Sequence, residues 1–198
     1  MRYAILLPLV LNIVQARAQN LVPNGSFEEY TECPSNMGQV ERAVGWTGNL
    51  GSPDYFNRCN NTTNDSVGVP LNFISYQEAY DGDGYMGGGT YLQDAPTFRE
   101  CFQHALSNPL VPGIPVYLSM MVSAGGFGND PNNNSIRYAS NGIGMKFSVE
   151  PHSNYLYWPG NIALSMASVL NDTAAWVQVN GVYIPDSAYP YVTIGCFM

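Results

Sequence analysis

Aromatic and carboxylate side chains carry most of the chemistry this sequence offers. Tyr76, Tyr80, Tyr85 and Tyr91, with Trp158 further along, present flat rings on which the apolar C–H faces of sugars stack. Gln77 and Glu78 stand beside the first of them, and Gln77 in particular has an amide suited to sugar hydroxyls. Trp46 and Trp176 fall in motifs that read as core or sheet-packing positions and are set apart from this group. The competing reading of the same tyrosines is amphipathic packing on a sheet surface, with no ligand.

The acids allow two further chemistries. The turn Asp81-Gly82-Asp83-Gly84 offers carboxylates and exposed carbonyls to a hard cation such as Ca2+, although the rest of an EF-hand loop is missing. Asp54, Glu78, Asp81, Asp83 and Glu100 are the acids from which a glycosidase pair, about 5–9.5 Å apart, would have to be drawn. Their spacing gives no sign that any two converge. His104 and His152 are the only histidines and have no Cys or acid at ligand spacing, so zinc is not expected. No Gly-x-Ser-x-Gly elbow is present for a serine nucleophile.

Export is written at the start. Met1-Arg2-Tyr3 gives a short positive beginning, 4–14 is an apolar run, and Ala16-Arg17-Ala18 offers small residues before Gln19. This is the pattern of a signal peptide over 1–18, too short to span a bilayer as a stable helix. The remaining 19–198 suits a single domain. The formal charge of −8 would become about −10 on loss of Arg2 and Arg17, and Lys146 is the only lysine. Such a surface argues against nucleic acid and anionic membranes and tolerates neutral glycans and cations. Four cysteines in an exported chain suggest disulfides. Cys33 and Cys59 lie in polar, turn-rich stretches, and joining them would close a loop of about 25 residues, adding about 3 kcal/mol. Cys196 shares a strand face with Val192 and Ile194, whereas Cys101 shares one with Arg99 and Gln103, so their pairing is left open.

The elements that must position these groups are strands. Val116, Leu118, Met120 and Val122 alternate with Tyr117, Ser119, Met121 and Ser123. Ile143, Met145, Phe147 and Val149 alternate with Gly144, Lys146, Ser148 and Glu150, which predicts a strand with one solvated face. Further strands are expected over 21–29, 84–92, 98–106, 162–169, 176–184 and 191–197, with a bulge at Asn180-Gly181. Stretches 47–53, 60–70, 125–134 and 151–161 read as loops, and helix is expected only in short pieces, such as near 71–80. Many short strands with Gly, Pro and Asn punctuation indicate an all-β sandwich.

One resemblance sharpens this. Asn20-Leu21-Val22-Pro23-Asn24-Gly25-Ser26-Phe27-Glu28-Glu29 resembles the opening of carbohydrate-binding-module-like jelly rolls. Tyr30-Thr31-Glu32-Cys33-Pro34-Ser35, Ala43-Val44-Gly45-Trp46, Pro53-Asp54-Tyr55-Phe56-Asn57-Arg58-Cys59 and Tyr76-Gln77-Glu78-Ala79 follow, then 82–88, Phe98-Arg99-Glu100 and Tyr191-Val192-Thr193-Ile194-Gly195. In that order they resemble a module of surface proteins from gliding, type IX-secreting bacteria. The resemblance implies a galactose-binding-like jelly-roll β-sandwich at the cell surface, and it places a structural ion near Glu28 and the loop that follows it, as an alternative to the turn of Asp81 and Asp83. It also implies a further strand after Met198, whose loss would leave 21–29 or 191–197 at a bare sheet edge.

Together these readings give a secreted or cell-surface, non-catalytic binding module for a glycan or cell-surface component. Tyr76, Gln77, Tyr80, Tyr85, Tyr91 and Trp158 are its candidate contacts. A structural or adhesive sandwich without a sugar site is the alternative, and a glycoside-active enzyme the second. Exposed aromatics gathered in one concavity would favour the first of the three.

Overall fold

The computed structural model describes residues 19–60, 66–91, 95, 97–129, 139–152 and 162–197. Residues 1–18, over which a signal peptide is expected, together with Trp158 and Met198, lie outside them. Nine strands occur among the described residues: β1 (Thr47–Leu50), β2 (Asp54–Asn57), β3 (Gly84–Gly87), β4 (Cys101–Ala105), β5 (Val116–Val122), β6 (Ile143–Ser148), β7 (Ile162–Ser165), β8 (Val177–Tyr183) and β9 (Tyr191–Cys196). The one helical element is a 3-10 turn at Val40–Arg42. No helix among these residues is long and apolar enough to cross a membrane.

The protein is an all-β sandwich. One layer is a five-stranded antiparallel sheet in the order β1-β4-β9-β6-β7, and the β2-β3 and β5-β8 ladders stand apart from it. The chain passes between layers repeatedly, the winding of a jelly roll. Alternation in β5 and β8 turns Leu118 and Val179 inward, where they meet Met145, Phe147, Leu164 and Val192 of the large sheet. Phe147 and Tyr183 stack across this core with ring centroids 5.5 Å apart. A second cluster of Trp46, Tyr55, Phe102, Val40 and Ala43 joins β1 and β4 to β2. A third, of Phe56, Val67, Val69 and Tyr85, covers the other face of the β2-β3 ladder. Every residue of β2 is therefore buried.

Several expectations are corrected. Residues 21–29 form turns, because Asn24 takes over as the organising group. Its amide donates to the carbonyls of Glu29 (2.8 Å) and Val44 (3.1 Å), its side-chain oxygen accepts from the Glu29 N–H (3.0 Å), and its own carbonyl accepts from Trp46 Nε1 (3.0 Å). Residues 71–80 are not helical; Leu71 and Tyr76 form an isolated bridge instead. The Asn180-Gly181 bulge is absent, since Leu118 to Ser119 face Gly181 to Asn180 in continuous register, and irregularities fall in the β1-β4 and β6-β7 ladders. Within 47–53, read as a loop, lies β1. The polar face of β6 is not solvated: Lys146 is only 5% exposed, and Gln103, Ser148 and Thr193 on the same sheet face are buried too. Nor does 191–197 lie at an edge, because β9 pairs with β4 on one side and β6 on the other.

Cys33 and Cys59 are bonded, with Cα atoms 5.9 Å apart. Cys101 and Cys196 are both buried and are not disulfide-bonded, in keeping with their opposite strand faces. Replacing Cys33 and Cys59 together by Ser is expected to cost about 3 kcal/mol and lower the melting temperature while leaving the far-UV strand signal unchanged. Calorimetry with circular dichroism checks this.

Asp54 begins β2 as a buried carboxylate that accepts the Gly38 N–H at 2.6 Å. Burial raises its pKa, the Gly38 bond lowers it, and the nearby Glu100 charge raises it again, leaving it at about 6. An acid whose pKa is raised by folding favours the native state while protonated. Its contribution is therefore full below about pH 4 and is lost as pH rises through about 6. Asp54→Asn keeps an acceptor for Gly38 and is expected to flatten this fall, adding about 2–3 kcal/mol at pH 7.5. Denaturant titrations at pH 4.5, 6 and 7.5 measure it.

Candidate functional site

Asn72 organises the region from which exposed aromatics project. Fully buried, it donates from Nδ2 to the Tyr85 hydroxyl (2.7 Å) and the Gly68 carbonyl (3.2 Å). Its Oδ1 accepts from the backbone N–H groups of Ile74 (3.1 Å) and Ser75 (2.8 Å) and from Ser75 Oγ (3.1 Å). One side chain thus makes five bonds and fixes the turn 72–75. Ser75 Oγ also meets the Tyr85 hydroxyl at 3.1 Å. Burial pushes the Tyr85 phenol pKa up, with the Ser75 and Asn72 bonds acting the other way.

The turn then captures a second loop. The Asn72 carbonyl accepts the Asn129 N–H (2.9 Å), Ile74 O the Gly126 N–H (3.2 Å), and Gly126 O the Tyr76 N–H (2.9 Å). Between these bonds Phe127 is held at φ 61°, a left-handed conformation unusual for a bulky residue, with its ring 62% exposed. A third loop approaches from β8. Asp172 accepts the N–H groups of Ala174 (2.9 Å) and Ala175 (3.0 Å), which hold its carboxyl below the ordinary range and place Thr173 and Ala174.

The three loops enclose an open cleft of about 610 Å³ lined by Tyr76, Gln77, Glu78, Phe127, Thr173 and Ala174. Tyr76 is 58% exposed. The Gln77 amide is committed, since Oε1 accepts Ser123 Oγ (2.7 Å) and Nε2 donates to Glu78 O (3.2 Å). Arg58 pins Glu78 from behind, donating Nη2 to Glu78 Oε2 at 2.6 Å and Nε to Asp83 Oδ1 at 3.0 Å.

The candidate contacts therefore divide. Tyr76 and Gln77 meet in the cleft. Tyr80 is exposed just beside it, edge-on to Trp176 at 6.3 Å, and the Trp176 indole donates to Glu78 O at 2.9 Å. Tyr85 is buried and serves as a support for Asn72, not as a platform, a correction that follows from the double-sided burial of the β2-β3 ladder. Tyr91 is partly exposed and does not line the cleft. Phe127, Thr173 and Ala174 escaped the sequence reading, whereas Trp176, read as a core or sheet-packing position, packs against the Phe56, Val67, Val69 and Tyr85 cluster. For Phe127 the available signal was an aromatic set between Gly125-Gly126 and Gly128, where no core position is open to it.

The three calcium candidates are also brought together, but on the wrong partners. Glu28 accepts the Asp83 N–H with both oxygens and the Gly84 N–H with Oε1, all at 3.0 Å. Asp83 meets the Arg58 guanidinium, and Asp81 is exposed. Backbone donors and a guanidinium surround these carboxylates where a Ca2+ ion would require further oxygens. Among the described residues no group of three His, Cys, Asp or Glu side chains is placed to hold a metal ion. The residues do not fit the implied ion.

No protein-family model and no curated protein matches the chain. Among solved structures it is similar to the Stig cyclase Fisc from Fischerella sp. TAU, determined in complex with (3Z)-3-(1-methyl-2-pyrrolidinylidene)-3H-indole. The TM-score is 0.53 over 88% of this chain and 84% of that one, at 11% sequence identity. The likeness is one of fold, the β-sandwich.

Asn72→Ala would leave the Tyr85 hydroxyl and the Ser75 N–H and Oγ buried without their partner, and is expected to cost at least about 3 kcal/mol. Urea denaturation gives the loss. Asn72→Asp, which keeps the acceptor, should lose less of the 72–75 turn, seen as slower amide exchange at Ser75 than in the alanine variant.

Proposed function

We propose that this chain is an exported, non-catalytic binding module whose cleft takes glycans. The observation that carries the reading is Phe127. A left-handed backbone at a bulky residue costs on the order of 1 kcal/mol, and this ring recovers little of it by burial. Strain held at an exposed aromatic, facing a cleft shared with Tyr76, has a purpose if the ring stacks on a ligand. Export is supported by the leader pattern and by the Cys33–Cys59 disulfide. A cell-surface setting in a gliding bacterium rests on the sequence resemblance.

Glu78 is the one acid among the described cleft-lining residues, where glycoside hydrolysis uses two. Asp54 and Glu100 are near each other, but Asp54 is buried, and Glu100 accepts the Ser52 and Gly89 N–H groups at 2.8 and 2.7 Å. This supports binding over turnover. A second reading, contact with another protein, is favoured by a separate observation: Val111, Ile114, Tyr117, Val182 and Ile184 are all exposed on or beside the β5-β8 ladder.

A glycan array probed with residues 19–198 tests the proposal, together with Tyr76→Ala and Phe127→Gly. Glycine is at ease in the left-handed region, so Phe127→Gly is expected to keep or slightly raise the melting temperature. Each variant is expected to weaken glycan binding about tenfold or more, the usual effect of removing an aromatic anchor. A wild-type protein that binds no glycan, or variants that bind as well as it does, would overturn the reading.

A further inference from the structure

The charges around the cleft point to its selectivity, and we infer that it accepts uncharged hexose units and rejects uronic-acid units, with Glu78 as the selecting group. This rests on the glycan reading above and narrows it. Of the six lining residues among those described, Glu78 alone is charged, and none of the six is Lys, Arg or His. Asp172 lies in the turn that delivers Thr173, its carboxyl held in the charged form by the Ala174 and Ala175 amides. Asp83 stands behind, on the far side of Arg58.

Arg58 does not reverse this balance. Its Nη2 is turned to Glu78 Oε2 and its Nε to Asp83 Oδ1, so the single guanidinium is shared between two carboxylates. Among the described residues, three acids and one base leave the neighbourhood negative, within a chain whose formal charge is already −8. Glu78 Oε2 is taken by Arg58, and no hydrogen bond is made by Oε1 among the described residues. That oxygen is an acceptor only, suited to a sugar hydroxyl that donates and unsuited to a second carboxylate. The aromatic faces of Tyr76 and Phe127 are indifferent to oxidation at C6 of a sugar, so discrimination falls to the carboxylate. A like charge brought within about 4–6 Å of it through water-exposed space weakens binding about threefold to fivefold.

The test uses matched oligosaccharides that differ only at C6: galactohexaose against galacturonohexaose, mannohexaose against mannuronohexaose, and cellohexaose against its glucuronate counterpart. Wild-type residues 19–198 are titrated calorimetrically in 50 mM and 500 mM salt. In low salt the neutral member of any bound pair is expected to bind at least about threefold more tightly, and the gap should narrow in high salt as the exposed charges are screened. Glu78→Gln keeps the backbone carbonyl that accepts from Trp176 and Gln77, so the fold is expected to survive, as its melting curve will report. In that variant the neutral sugar should bind within about threefold of wild type while the uronate gap closes. Equal binding of both members by the wild type, or a gap that persists in Glu78→Gln, overturns the inference and leaves the glycan reading standing. If no saccharide of either kind binds, the glycan reading itself fails and takes the inference with it.

Discussion

The buried amide of Asn72 is the interaction on which the rest of the site depends. A buried polar group must find its hydrogen bonds within the protein, and Asn72 finds all of them within one small region. Because those partners belong to 68, 74–75 and the far β3 strand, the amide converts a polar loop into a rigid surface. The captured 125–129 loop then inherits that rigidity through backbone bonds alone. The position of Phe127 is thus fixed from beneath, by a residue that never touches the cleft.

The same logic explains why the β2-β3 ladder can be covered on both faces. Its inner face meets Trp46 and Phe102, while its outer face is roofed by Val67 and Val69 together with the Asn72 turn. Tyr55 and Tyr85, one on each side, send their hydroxyls to Phe27 O (2.7 Å) and to Asn72, so each ring is apolar in the core and bonded at its tip. The amino-terminal turns are tied to this ladder in turn, since Glu28 closes the 82–84 turn at the start of β3. Gly82, at φ 66°, has to be glycine there: a Cβ would lie 2.3 Å from the Glu28 carboxyl carbon.

What the sequence reveals follows from how each element is stabilised. β5, β6, β8 and β9 owe their form to alternating side chains, and period 2 exposes them directly. β1 and β2 are four residues each, and β2 is buried on both faces, so neither shows alternation. Residues 21–29 carry strand-like apolar residues, yet the side chain of Asn24 satisfies the backbone that a neighbouring strand would otherwise serve. At the site, Tyr76 and Gln77 were readable because they stand together. Tyr85 was not sorted correctly, because only tertiary packing decides which side of an aromatic faces water. Thr173 reaches the cleft through a turn held by Asp172, which no local pattern links to residue 76.

Lys146 lies beneath the outer surface of the large sheet, 5% exposed, and it is the chain's only lysine. Burial lowers its pKa, but the same burial keeps reagents away from its amine. The practical result is that the amine of the chain's one lysine side chain is closed to reagents while the fold is intact. Acylating dyes and biotin esters that label Lys146 will therefore report that the large sheet has opened, since the folded sheet keeps them from it.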